Sequence, residues 1–220
     1  MRSSGSGNIH PDFSETFRVL EHGAAAERTA AAVDLSRKFR DLADSGHRFS
    51  GDGFTAMVPE LKRYSTDDEL LVRSNAIEAL GWLKPDGITL LLRRRLVSEH
   101  DADTKVSIHF ALARLGDAAS RDSIKSWVNH HDKGTRHAAI VHASNLGLVE
   151  VLPALEEHAS PDKDYEDRMH AIYAIGRLGR RVHPVTRVKL LAVLNKYRQD
   201  ADEDIANEAR IALNRLRNER

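Results

Sequence analysis

Twelve histidines stand in a 220-residue chain with no cysteine. Any metal would therefore be held by imidazole and carboxylate, with no thiolate ligand, and no thiol is present to act as a nucleophile. Ligating histidines four residues apart share a helix face, whereas His137 and His142 are five apart and do not. His130-His131 fall at a helix end, where a cation meets the negative end of the dipole. These spacings describe surface and capping histidines, so no metal, no catalytic residue and no cofactor is expected. Gly51-Asp52-Gly53 lacks the Gly-x-x-x-x-Gly-Lys pattern of a phosphate loop and reads as a turn. Arg93-Arg94-Arg95 point three ways on a helix, which makes them a solvated face rather than a nucleic-acid patch.

Charge narrows the partners further. Lys plus Arg equals Asp plus Glu at 33 each. Residues 1–110 carry 15 basic and 17 acidic side chains, and residues 111–220 carry 18 and 16. A duplex-binding surface usually needs a basic footprint, and neither half has one, so a nucleic-acid partner is not expected. No apolar run is long enough to span a membrane and no signal-peptide core opens the chain, so a cytoplasmic location is expected.

The elements that must position these residues come from a repeat. Ala79, Ala111, His142, Ala174 and Ala212 occupy equivalent places, spaced by 32, 31, 32 and 38 residues, in phrases such as Ala111-Leu112-Ala113-Arg114-Leu115-Gly116. Self-similarity at this period marks a solenoid. Three before this frame position stand Ala76, Ile108, Ala139, Ala171 and Ala209, and four after it stand Leu83, Leu115, Leu146, Leu178 and Leu216. Those spacings draw one helix face. Ten before it, Glu69, Asp101, Asp132, Asp164 and Asp202 fall where the helix should begin and can cap it. Two after it, Gly81, Ala113, Ser144, Gly176 and Asn214 are small enough to admit another helix. Six before it, Arg73, Lys105, Arg136 and Arg168 form a ladder, expected to pair with carboxylates at the starts of second helices, among Asp67, Glu69, Asp101, Asp132, Asp162 and Asp164. A first helix precedes each of these, with a proline inside or opening it in Val58-Pro59-Glu60-Leu61 and Leu152-Pro153-Ala154-Leu155.

In order, residues 1–12 read as a flexible lead and 13–220 as a single repeat domain. Within it, 13–45 is a degenerate capping repeat, 45–53 a glycine-bearing loop insertion, and 54–220 the repeats proper. Helices are expected at 13–22 and 24–43, then at 54–64, 68–83, 86–98, 102–115, 119–130, 134–146, 148–158, 164–178, 184–198 and 202–217.

Two helices per unit, a proline in the first and acid-x-x-x-basic-x-x-Ala in the second resemble HEAT repeats, most of all the short HEAT-like type named after phycobilisome lyases. The resemblance covers about 54–216. It implies an all-α fold, an α-solenoid of about six HEAT-like helix pairs in a right-handed superhelix, working as a protein-interaction scaffold or adaptor. Some deoxyhypusine hydroxylases resemble this repeat type and bind iron through His-Glu dipeptides. Here the order is reversed in Glu21-His22, Glu99-His100 and Glu157-His158. HEAT-like DNA glycosylases, the alternative class together with bilin-lyase-like subunits, use a carboxylate and tryptophans in a basic groove. Trp82 is the better groove candidate of the two tryptophans, and Trp127 reads as packing beside Ile124 and Val128.

A helical wheel places positions −4, −1 and +3 from the frame opposite the apolar face, toward the concave side. These rows give a candidate binding stripe of Trp82, Phe110, Arg114, Val141, Asn145, His170, Tyr173, Arg177, Ile211 and Arg215. An apolar spine beside arginines suits a partner peptide or helix that carries acidic residues. The other reading of Phe110, Val141, Tyr173 and Ile211 is packing between neighbouring second helices, as solenoid repeats bury side chains on both sides.

Overall fold

The computed structural model describes residues 13–179 and 182–218. The lead expected at 1–12 lies outside them. The chain divides into two compact units, Met1–Leu91 and Leu92–Arg220. All regular structure among the described residues is helical. No helix there is long and apolar enough to cross a membrane.

The first unit holds α1 (Ser14–His22), α2 (Ala25–Asp44), α3 (Asp52–Tyr64) and α4 (Leu70–Leu83), with α2 packed along α4 and flanked by α1. Helix α5 (Ile88–Ser98) runs across the division. The second unit continues with α6 (Ala102–Arg114), α7 (Ala118–Trp127), α8 (Lys133–Leu146), α9 (Leu152–His158), α10 (Tyr165–Leu178), α11 (Pro184–Tyr197) and α12 (Glu203–Asn218). A short 3-10 turn at Val149–Val151 leads into α9. In this unit the second helices α6, α8, α10 and α12 pack each on the next, while α7, α9 and α11 dock beside them. That is α-solenoid stacking.

The caps form where the acids fall. Asp101, Asp132, Asp164 and Asp202 each accept backbone N–H groups of the following first turn, at 2.7–3.2 Å. Each such cap contributes about 1 kcal/mol. The bond from Asp167 N, aided by Lys133, holds the Asp164 carboxyl down at about 2. Glu69 departs from the pattern: its side chain caps nothing, and Asp67 accepts from the Glu69 N–H instead at 3.0 Å.

Position +2 works as its small size requires. A Cβ added at Gly176 of α10 would lie 2.6 Å from Ala212 Cβ and 3.3 Å from Ala212 Cα on α12. Close approach of the two helices is therefore built on this glycine. At Gly179 the same atom would meet a Leu216 methyl at 1.9 Å, but that side chain can turn away.

The basic row at −6 forms a buttress that repeats down the chain. Arg136 gives one nitrogen to the carbonyls of His130 and His131, in the turn before its own helix, at 2.7 and 3.2 Å. Its other nitrogens grip Asp167 of the next second helix at 2.9–3.0 Å. Arg168 bonds the Ala159 carbonyl at 3.4 Å and Asp200 at 2.5 Å. In the first unit, Arg28 of α2 does the same with the Leu20 carbonyl and Asp67, and Arg73 bonds the Asp67 and Asp68 carbonyls.

Arg136 and Arg168 thus pair with carboxylates other than those expected. Arg136 takes Asp167, three residues inside its helix, rather than Asp162 or Asp164. Arg168 takes Asp200, two residues ahead of the capping Asp202. The Asp67 carboxylate is held by Arg28. Lys105 occupies the same row, half-buried.

Gly176→Ala should lower the melting temperature despite alanine's higher helix propensity. Overpacking against Ala212 costs about 1–3 kcal/mol and the propensity gain offsets about 1. For a chain of this size the net loss corresponds to a few degrees, read by circular dichroism. An unchanged or raised melting point would show that α10 and α12 have room to part.

Arg136→Ala should cost about 3–5 kcal/mol in urea unfolding, because it leaves Asp167 buried without its bidentate partner. The Arg136→Ala, Asp167→Ala double variant should cost less than the sum of the two singles. Strict additivity would show that the pair does not couple the repeats.

Candidate binding groove

The ten stripe residues do not share one surface. Phe110 is completely buried, with its ring stacked on His142 at 4.4 Å between centroids. Trp82 is buried beside Phe49. Asn145 and Arg177 are buried too, with Arg177 Nε donating to Asn145 Oδ1 at 3.1 Å and its guanidinium 5.7 Å above the Tyr173 ring. These four pack inside rather than facing a concave side. Arg114 is half-buried, 6.0 Å from the Phe110 ring. Ile211 is half-buried and Arg215 is exposed. A second helix in the stack is covered on both flanks, so the side opposite its own first helix is not automatically free.

Three stripe residues do converge. Val141 of α8 and His170 and Tyr173 of α10 line an open groove of about 250 Å³, together with Met169 of α10 and Glu208 of α12. All five are half-buried. His170 Nδ1 lies 2.8 Å from the Glu166 carbonyl, four residues back, which fixes the ring. Its face is stacked on His137 at 3.9 Å. His137 Nε2 is 2.6 Å from Asp167 Oδ1, so it shares that carboxylate with Arg136. Burial pushes the His137 imidazole below its ordinary value, although Asp167 pulls the other way.

Glu208 is the polar group of the groove that the fold leaves unsatisfied. Its Oε1 is buried without a hydrogen-bond partner. Burial raises its carboxyl above the ordinary value, and the field of Arg215 opposes that rise. Glu208 sits in the −4 row of the repeat, one of the three rows read as facing outward, yet an acid on an outward row carries no sign in the sequence that it will be half-covered.

The first unit has its own cavity, of about 480 Å³, lined by Phe49, Phe54, Val58, Pro59, Leu83, Lys84 and Pro85 among others. It borders the 45–53 loop. Phe49 of that loop sits 5.3–5.4 Å from the rings of Phe39 and Phe54, and Phe39 stacks on Phe13 at 5.4 Å. The insertion is therefore anchored by aromatic packing, and Trp82 belongs to the same cluster. Trp127 packs edge-on against His109 at 5.1 Å, the packing role read for it. His158 Nε2 lies 2.9 Å from the Val128 carbonyl, at the end of a first helix. No group of three or more histidines and acids among the described residues could hold a metal ion.

No curated protein matches this chain. Among solved structures, a designed armadillo repeat protein is similar at 17% identity, covering 93% of this chain and 100% of its own, with a TM-score of 0.48. An engineered protein is similar at 16% identity, covering 94% of this chain and 97% of its own, at 0.46. Human deoxyhypusine hydroxylase in complex with glycerol is similar at 16% identity, covering 93% of this chain and 84% of its own, at 0.45. The family model for HEAT repeats matches residues 89–176. Over that stretch the chain is similar to HEAT repeats.

Proposed function

We propose that this chain is a non-catalytic interaction scaffold, and that the groove between α8, α10 and α12 receives a peptide or helix of a partner protein. One observation carries the reading. Residues from three successive repeats, Val141, Tyr173 and Glu208, meet at a single opening whose walls are apolar and aromatic. Tyrosine is among the residues enriched at interface hot spots. Methionine beside it adapts its shape to an incoming side chain. The opening is smaller than the ~300–1,000 Å³ usual for small-molecule sites, which favours side chains as its occupants.

Two aromatic truncations separate binding from packing. Phe110→Ala removes a fully buried ring and should cost about 3–5 kcal/mol of stability. Tyr173→Ala removes a half-exposed one, so it should lower the melting point less. If the groove binds, Tyr173→Ala and Met169→Glu should each abolish partner capture from cells while the circular dichroism spectrum stays helical. Capture unchanged by both variants would remove the groove as the site.

Glu208 provides a pH test of the same groove. Its raised folded value means that the folded state holds this proton more tightly than the unfolded chain does. The contribution to stability is therefore fully present below the ordinary value of 4.5 and is lost as pH rises through the folded one. Glu208→Gln should raise the melting point at neutral pH and flatten its fall above about pH 4.5. A variant less stable than the parent at neutral pH would show that the carboxylate is already satisfied.

A further inference from the structure

We infer that the groove takes a basic side chain: its partner is a protein segment presenting a lysine or arginine among apolar residues, with Glu208 as the counter-ion. This rests on the reading of the groove as a peptide site and adds the sign of the charge it selects. Of the arginines near the groove, Arg177 and those of the −6 row are engaged. Arg177 is buried, bonded to Asn145 and set over Tyr173. Arg136 and Arg168 are held by Asp167 and Asp200.

The acids near the groove are likewise spoken for, with one exception. Asp167 is held by Arg136 and His137. Asp164 and Glu166 share Lys133, at 3.1 and 2.6 Å. Glu208 remains, with Oε1 buried and without a donor. Arg215 is exposed, and no ion pair joins it to Glu208 among the described residues.

A half-buried carboxylate without a donor is costly alone, and it becomes favourable when a cation of matching geometry arrives. The walls suit the rest of such a residue. Val141, Met169 and Tyr173 offer apolar surface to the methylene stem of a lysine or arginine while its head reaches the acid. His170 adds to the match: with Nδ1 donating to the Glu166 carbonyl, the neutral ring keeps Nε2 as an acceptor. Acceptors beside an apolar wall describe a site that a donor-only side chain fits, and the Tyr173 hydroxyl can turn to accept from it as well.

The test is peptide display on the full chain, using a library of short random linear peptides, with the selected sequences resynthesised and titrated by fluorescence polarisation. Selected peptides should be enriched in lysine or arginine beside aliphatic residues. Glu208→Gln, which keeps the side chain's shape, should weaken them about tenfold or more, as for other buried charge pairs. Glu208→Lys should shift selection toward acidic peptides, while a melting point of Glu208→Gln no lower than the parent's shows that the loss is not unfolding.

If the peptides bind Glu208→Gln as well as the parent but fail on Tyr173→Ala, the groove stands and its basic selectivity is overturned. Binding indifferent to both variants overturns the groove as well. Enrichment of acidic peptides by the parent chain overturns the charge assignment outright.

Discussion

Everything in the second unit depends on how closely one second helix can lie on the next. Each repeat carries too little apolar surface to close a core alone, so α6, α8, α10 and α12 supply one another's missing walls. The approach is set at both ends. Near the helix starts, Arg136 and Arg168 each tie their own preceding turn to a carboxylate of the following repeat. Near the helix ends, Gly176 lets α10 rest on the Ala212 backbone. A guanidinium suits the first task because it binds carbonyl and carboxylate at once through a rigid fork. A lysine would offer one point charge and would not fix the angle between repeats.

That division of labour explains what the sequence discloses. Helix positions, caps and the small +2 row are local properties, written in residues three, four and ten apart, and most of the expected spans agree with the helices within a few residues. The carboxylate partner of each arginine is not local. It depends on the rise and turn from one repeat to the next, which puts Asp167 within reach of Arg136 but makes Asp200, ahead of its helix, the partner of Arg168. The wheel argument fails at Phe110, Trp82, Asn145 and Arg177 for the same reason. It divides a helix into a core side and a free side, whereas these helices have a neighbour on each flank. Trp82 adds a further cause, since the 45–53 loop folds back and sets Phe49 against it, a contact that no periodicity encodes.

The groove itself follows from a break in the repeat. At the −1 position of α6, Phe110 is covered by His142, the large side chain that α8 places at the frame position. The next helices place Ala174 and Ala212 there, and a methyl group cannot cover its neighbour as an imidazole does. Val141 and Tyr173, the −1 residues of α8 and α10, are accordingly left half-exposed. An opening therefore appears where the frame reverts to alanine, and it is lined by the row that was covered one repeat earlier. The −4 row decides its chemistry. Ser107 and Asn75 fill that row where the helices are tightly covered, and His170 and Glu208 fill it at the opening. A long acid can be tolerated in the row where the covering side chain is small, and at that place the Glu208 side chain lines a groove whose apolar wall, Val141, Met169 and Tyr173, can hold the stem of an incoming cation.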